Sequence, residues 1–171
     1  MGMILKNKLP SLQLGKYTEI GPDRNIIETG TISTTSAEGK AGDLVKFATD
    51  GTFVVVDGTN TITKVSEVAG VILSPYARLV TDFFGGVKAE TIFRKGEAFD
   101  RYVKGKIALE LDSALNDFST IKPNTPVYLT SKGKVTTTSA SNIATDWTFT
   151  GVTETDDAGR KLVEVFVCHC A

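Results

Sequence analysis

Apolar and polar residues alternate with a period of two along much of the chain, which is typical of half-buried β-strands. The stretch around which the chain is organised spans residues 41–76, AGDLVKFATDGTFVVVDGTNTITKVSEVAGVILSPY. Two β-rich runs, residues 44–48 and 52–56, flank Asp50-Gly51, a dipeptide that tolerates the positive φ of a tight turn. A third apolar run, residues 68–73, follows a polar loop. The stretch therefore predicts a hairpin and a return strand.

The C-terminal third of the chain follows the same plan. The matching positions are apolar residues and turn glycines, Val45, Phe47, Gly51, Phe53 and Gly70-Val71 with Val127, Leu129, Gly133, Val135 and Gly151-Val152. The last match requires one deleted residue. This pattern predicts a weak internal duplication, with one copy at residues 41–76 and the other at residues 124–167.

The middle of the chain predicts one more hairpin and one helix. Residues 99–103 and 107–111 alternate on either side of Lys104-Gly105, which predicts a hairpin with one solvent-facing side. Residues 75–84, PYARLVTDFF, are the best helix candidate, and Gly85-Gly86 would end that helix.

About nine or ten short strands at this spacing, with almost no helix, predict an all-β domain. The expected architecture is a β-sandwich or jelly roll, or a β-barrel-like domain. Its core is predicted to contain inward-facing apolar residues of these strands: Val45, Phe47, Phe53, Val55, Val71, Leu109, Leu111, Val127, Leu129, Phe149, Val163 and Val165.

The first 40 residues differ from the rest. Pro10 and Pro22 interrupt them, and residues 28–40, ETGTISTTSAEGK, are rich in Thr, Ser and Gly. We therefore predict an extended N-terminal arm over residues 1–40 and a β domain over residues 41–171. The irregularly spaced apolar residues of the arm are the predicted partner-binding residues: Ile4, Leu5, Leu9, Leu12, Leu14 and Tyr17. A frayed terminus with loosely packed side chains is the alternative.

Charge and composition restrict the partners. The chain carries 19 Lys and Arg against 20 Asp and Glu, so its net charge of −1 provides no global field to attract nucleic acid or an anionic membrane. No apolar run approaches the ~20 residues that a membrane-spanning helix needs, and no signal peptide is recognisable. The two cysteines, Cys168 and Cys170, are too few for a disulfide scaffold, which indicates synthesis in a reducing compartment.

The sequence contains no recognisable catalytic or cofactor motif. His169 is the single histidine, so a catalytic triad or dyad would have to form at the very end of the chain. Cys168-His169-Cys170 contains good zinc ligands, but neighbouring strand residues point to opposite faces and the chain has no further Cys or His. We therefore expect no catalytic residue, no cofactor and no metal. A metal held between subunits by these three residues stays open.

Seven short motifs follow one another between residues 42 and 167: GDLV at 42–45, AGVIL at 69–73, VKGKIAL at 103–109, TPVYL at 125–129, GKVT at 133–136, TGV at 150–152 and LVEVFV at 162–167. The series resembles the capsid cement, or head decoration, proteins of tailed bacteriophages. Those proteins repeat a similar plan across a β-rich body.

The resemblance implies a non-enzymatic virion protein, made in the host bacterial cytoplasm, that binds the capsid exterior and stabilises contacts between capsomers. Its implied partners are the major capsid protein and further copies of itself, as a homodimer or homotrimer. The alternative is a ligand- or receptor-binding β-module of a phage tail or fibre, which would recognise carbohydrate or a host surface. Such modules usually display exposed aromatic residues, whereas Trp147 lies on a strand face that we expect to be in the core. An enzyme is a third, more distant hypothesis.

Overall fold

The structure is a computed structural model that describes residues 12, 14–16, 26–73, 79–81, 87–89, 92–112, 117–156 and 159–168. Its strands are β1 (Ile26–Thr31), β2 (Gly39–Lys40), β3 (Leu44–Phe47), β4 (Phe53–Val55), β5 (Gly70–Ile72), β6 (Leu79–Thr81), β7 (Val87–Ala89), β8 (Ile92–Phe93), β9 (Ala98–Glu110), β10 (Pro126–Leu129), β11 (Val135–Thr136), β12 (Ile143–Thr155) and β13 (Lys161–Val167). In the described part of the chain, the helical elements are two short 3-10 turns, Val65–Glu67 and Phe118–Thr120. The prediction of an all-β fold is confirmed.

Nine strands form one curled sheet. Its order is β11-β10-β12-β13-β9-β5-β3-β4, and β1 also pairs with β9. The first part of β9 lies between β1 and β5, while its second part pairs with β13. Two separate pairs, β2 with β8 and β6 with β7, accompany this sheet.

The two halves of the sheet have the same strand pairing. In the first half, β1, β9, β5, β3 and β4 pair in that order, and a bridge between Ile32 and Phe53 joins the last strand to the end of the first. In the second half, β9, β13, β12, β10 and β11 pair in that order, and Leu111 bridges Val135 in the same way. Each half thus curls towards a small barrel, and β9 belongs to both. The duplication itself stays a prediction.

Apolar clusters cover both faces of β3 and β5. Val45 and Ile72 are buried inside the first half. Their neighbours Leu44 and Val71 point to the opposite face and join a larger cluster, which includes Trp147 and fills the second half. Because successive strand residues face opposite sides, these two strands connect the two cores.

All of the predicted core residues are buried except Phe47, for which the prediction is wrong. Phe47 is the last residue of β3 and is 50% exposed. At this strand end, the ring extends beyond the interior of the first half instead of filling it.

Two secondary-structure predictions for the middle of the chain are also wrong. Lys104-Gly105 does not form a hairpin turn, because β9 continues through it as one strand, with Gly105 at a φ of 122°. Within the predicted helix, Leu79–Thr81 is a strand paired with β7, which agrees with the strand preference of the β-branched Val80 and Thr81. Residues 75–78 and 82–84 of that prediction lie outside the described residues.

Residues 26–40, which were predicted to belong to the arm, contain two paired strands. Ile26–Thr31 pairs with β9, and Gly39–Lys40 pairs with β8. Gly30 permits this close packing, because a Cβ atom there would lie 2.6 Å from the Phe53 ring. The arm prediction therefore concerns residues 1–25.

Candidate interaction surface

Arg101 connects several strands at one end of the first half. Its side chain extends from β9 and the residue is only 8% exposed. The guanidinium donates hydrogen bonds to the Ala69 carbonyl and to the Glu28 carboxylate. It also lies 5.3 Å from the ring centroid of Phe47 and 5.0 Å from that of Phe53. Each cation-π contact of this kind contributes about 0.5 to 2 kcal/mol, so Arg101 helps to hold Phe47 in place.

Exposed apolar side chains accompany this arginine. The Phe47 ring packs on Phe53, with 4.9 Å between the ring centroids, yet half of the residue remains exposed. Ile26 is 41% exposed and precedes Glu28 by two residues on β1, which places both on the same face of the strand. We call Ile26, Glu28, Phe47 and Arg101 the aromatic–arginine end. Arginine and aromatic residues are enriched at the centres of protein interfaces, so this surface suits a protein partner.

The corresponding positions of the second half have a different chemistry. By strand register, Glu28 corresponds to Ile107 and Arg101 corresponds to Val165. Phe47 corresponds to Leu129 in the same way. All three residues of the second half are apolar and fully buried. Since both halves have the same strand pairing, this fold does not itself require a charged pair and an exposed ring at these positions. They are therefore candidates for a role in binding.

Sequence reasoning missed this surface because it assigned Phe47 to the core and did not single out Arg101. A signal was present in the alternation of β9, where Phe99, Arg101 and Val103 share the two-residue period expected of one face. A charged residue at an inward position of such a pattern requires a partner or a role.

The structure places two of the predicted partner-binding residues against their own chain. Leu12 is 7% exposed and packs on Ala108 and Leu162, with Leu14 partly buried beside it. The Leu12 amide donates a hydrogen bond of 2.5 Å to the Glu154 carboxylate. The other four predicted residues, Ile4, Leu5, Leu9 and Tyr17, lie outside the described residues.

A charged cluster lies where the two halves meet. Asp43, Glu110 and Lys134 line a cavity of about 20 Å³ together with Leu14. Lys134 forms an ion pair with Glu110, and the Asp43 carboxylate accepts a hydrogen bond of 2.8 Å from the Lys40 amide. Burial raises the pKa of Asp43 above its ordinary value of 3.8, although the Lys40 amide and the Lys134 charge oppose this effect. When the Asp43 carboxylate is ionised, it therefore lowers the stability of the folded state, in which the two halves are in contact.

Other kinds of site find little support in the described residues. Among them, no three His, Cys, Asp or Glu side chains come together in a group able to hold a metal. Cys168 is a partly buried free thiol packed against the larger core cluster, while His169 and Cys170 lie outside the described residues. None of the described helices has the length and hydropathy needed to cross a membrane.

Comparison with known proteins identifies a family. The model of the XM1 gp53 minor capsid protein family matches residues 17–165. A chain from the solved structure titled "The capsid of Myoviridae Phage XM1" superposes with a TM-score of 0.61, at 17% identity, over 98% of this chain and 97% of that chain. No curated protein matches. The structural likeness shows the shared fold, and the family match covers most of the sequence, so this chain belongs to the XM1 gp53 minor capsid protein family.

Proposed function

We propose that this protein binds the outer surface of a tailed-phage capsid and stabilises contacts between neighbouring capsid subunits. Its family makes it a structural protein of the phage virion, and the resemblance seen in the sequence motifs to capsid-associated proteins of tailed phages is thereby confirmed. Binding to the outer side of the shell and stabilisation of its subunit contacts both go beyond this structural role. Both require a surface that binds protein rather than a catalytic centre.

The observation that carries the proposal is the aromatic–arginine end. Burying the exposed half of Phe47 on a capsid subunit would contribute about 1 to 2 kcal/mol. Arg101 lies against the same ring and restricts its orientation, which lowers the entropy lost on binding. The aromatic–arginine end thus combines a pre-positioned aromatic side chain with a polar edge that contains the Glu28 carboxylate.

The proposed partners are the major capsid protein and further copies of this chain, as a homodimer or homotrimer. Ile4, Leu5, Leu9 and Tyr17 are kept as proposed partner-binding residues. Leu12 and Leu14 are better described as anchors, because they pack on the second half of their own chain. A weak contact made by each copy becomes effective when linked copies bind a repeated surface together.

A capsid filled with DNA is under internal pressure, and a protein that binds the closed shell but not its separated subunits stabilises the closed state. This effect requires contact with more than one subunit at a time. An end surface on the β body and an arm at the N-terminus would provide two separate contacts.

Binding to phage heads that lack this protein tests the proposal. Purified wild-type protein should co-sediment with the heads and raise the temperature at which they release DNA. Phe47→Ser should weaken binding at least about tenfold, the effect of losing ~1.4 kcal/mol. Val152→Ser is the matched control, because Val152 is 48% exposed on β12 and is not part of the proposed surface.

Equal binding by both variants would exclude the aromatic–arginine end from the interface. Binding with no increase in the DNA-release temperature would contradict the stabilising role. Binding to host cells or glycans instead of heads would favour the tail or fibre alternative.

A further inference from the structure

In the second half, the outer edge of β9 is covered by the N-terminal segment of the same chain. The Gly15 amide donates a hydrogen bond of 2.9 Å to the Ala108 carbonyl, and the Ala108 amide donates one of 3.1 Å to the Lys16 carbonyl. Leu12 then lies over Ala108 and Leu162 on the adjoining face. Leu12 and residues 14–16 thus cover both the backbone edge and a small apolar area beside it.

The strand registers identify the equivalent edge in the first half. Thr29 lies opposite Asp100 in the first half and corresponds to Ala108 of the second half. Ala98 lies opposite Thr31 in the first half and corresponds to Leu162 of the second half. Thr29 and Ala98 are both exposed. The strand edge and the apolar area beside it, which the N-terminal segment covers in the second half, are therefore open to solvent in the first half.

The backbone of this open edge is available for bonding. The Asp100 carbonyl accepts a hydrogen bond from the Leu73 amide, so its main chain points towards β5 and away from β1. Thr29, directly opposite Asp100, therefore directs its own N–H and C=O groups away from β9. Within the part of the chain that the structure describes, no hydrogen bond reaches these two groups.

We propose that residues 3–9 of a second copy bind this edge, beside Ile27, Thr29 and Ala98. The inference rests on the proposed function, because it supplies the contact between copies. Eleven residues precede Leu12, and residues 3–9 contain apolar side chains able to cover the exposed Ile27, which is 44% exposed. Lys6 and Lys8 complement the carboxylate of Asp100, which lies beside Thr29 and accepts a hydrogen bond of 3.2 Å from its hydroxyl.

A second copy fits this edge better than the same chain does. Eight residues of β9 separate Ala108, where Leu12 is anchored, from Asp100, which is roughly 26 Å along the strand. The six-residue step from Leu12 back to Lys6, the middle of the proposed segment, covers only about 20 Å when fully extended, so this segment cannot be centred on Thr29 of its own chain. The segment of a neighbouring molecule has no such limit.

Disulfide trapping tests the proposal in the full-length protein. In a Cys168→Ser/Cys170→Ser background, one variant carries Leu5→Cys and another carries Thr29→Cys, and the two are mixed under mild oxidation. We expect a cross-linked dimer on a non-reducing gel. The matched control replaces Thr29→Cys with Thr155→Cys, an exposed strand residue on β12, and should give no cross-link above background. Cross-linking no stronger than this control would overturn the proposal.

Charge reversal and truncation add two independent measurements. Asp100→Lys should weaken self-association at least about tenfold in sedimentation, and Lys6→Glu/Lys8→Glu should restore it when added to Asp100→Lys. Absence of this rescue would contradict the assigned pairing. A chain carrying both Leu5→Cys and Thr29→Cys that forms only an intramolecular disulfide would show that the segment covers its own edge, which also overturns the proposal.

Head binding distinguishes failure of this inference from failure of the proposed function. Deletion of residues 1–11 should abolish self-association while Phe47-dependent binding to heads continues at a lower affinity. A truncated protein that self-associates as strongly as the full chain would sink the inference and leave the capsid-binding proposal intact.

Discussion

Gly15 occupies a position where a side chain has no room. Its φ is +68°, in the left-handed region, and a Cβ atom would lie 2.5 Å from the Gly42 amide nitrogen. Gly42 in turn contacts the Leu14 side chain so closely that its own Cβ would lie 2.6 Å from that residue. These two glycines therefore allow the N-terminal segment to lie directly on the loop before β3.

Gly15→Ala is expected to destabilise the protein by at least about 2 kcal/mol, because it adds a backbone clash to an unfavourable φ. Gly51→Ala is the control, since Gly51 also has a positive φ, +80°, but nothing lies within 4 Å of its added Cβ. That variant should lose only about 1 kcal/mol. Urea denaturation measures both losses, and equal values would show that the contact between the two glycines is unimportant.

The Glu28–Arg101 pair gives a second prediction at the residue scale. Glu28→Ile removes the carboxylate and leaves the nearly buried guanidinium with its Ala69 hydrogen bond, so we expect a loss of about 1 kcal/mol, reduced by the partial exposure of Glu28. Adding Arg101→Val reproduces the Ile107–Val165 pair of the second half and should recover most of the loss. Denaturation of the two single variants and the double variant provides the coupling energy. A double variant less stable than either single variant would mean that the pair supports the fold itself.

Individual residues also show how far a sequence pattern predicts burial. Alternation correctly predicted buried positions such as Val127 and Val163, because each lies inside a paired strand where one face is covered. It failed for Phe47, since the pattern gives the face of a strand residue but not its distance from the strand end. The aromatic–arginine end was therefore not predictable from alternation alone.

At the element scale, long-range pairing decided what local patterns left open. β1 contains Thr and Gly and was predicted to belong to an arm, yet β9 supplies its hydrogen bonds and Phe53 packs on Gly30. Gly105 was predicted to turn the chain, but β9 continues through it and only changes partners, from β1 to β13. A glycine that turns a chain and one that lies within a strand look alike in a sequence without its partners.

Closure of the first half should depend on Ile32, the residue that joins the end of β1 to β4. Ile32 is fully buried in the first cluster, so Ile32→Ala is expected to cost about 2 to 5 kcal/mol through lost burial and the resulting cavity. Ile27→Ala is the matched control on the same segment, because Ile27 is 44% exposed, and should cost less than about 1 kcal/mol. Thermal and urea unfolding test both. Similar losses would mean that the bridge to β4 contributes little to closure.

At the scale of the whole molecule, the seam between the halves contains a pH-dependent group. Burial raises the pKa of Asp43, so the folded state binds its proton more tightly than the unfolded state does. The destabilising effect of the charge is absent below the unfolded value of 3.8 and complete above the raised folded value. Asp43→Asn should therefore increase the melting temperature at neutral pH, and this gain should disappear below about pH 3.8.

Asp50 provides the contrasting control for that experiment. The hydroxyl and amide of Thr52 donate hydrogen bonds to its carboxylate and lower its pKa, so Asp50 contributes stability above the unfolded value of 3.8 and loses it as pH falls through the lowered folded value. Asp50→Asn should thus decrease the melting temperature at neutral pH. Melting curves of both variants across pH 3 to 7 should show opposite signs, and a gain for Asp43→Asn that persists at pH 3 would contradict the assignment to its charge.

The shared core predicts that the two halves fold as one unit. Leu44, Val71 and Tyr102 belong to first-half strands, yet they pack in the same cluster as Trp147 and Phe149 of the second half. Separating the halves would expose these side chains, at about 1.5 to 3 kcal/mol for each large apolar residue, which is a large part of the stability of a domain. We therefore expect a single calorimetric transition for the full chain, with equal van't Hoff and calorimetric enthalpies. A fragment of residues 26–112 should not fold alone, and two separate transitions, or a stably folded fragment, would show that β9 joins two independent units.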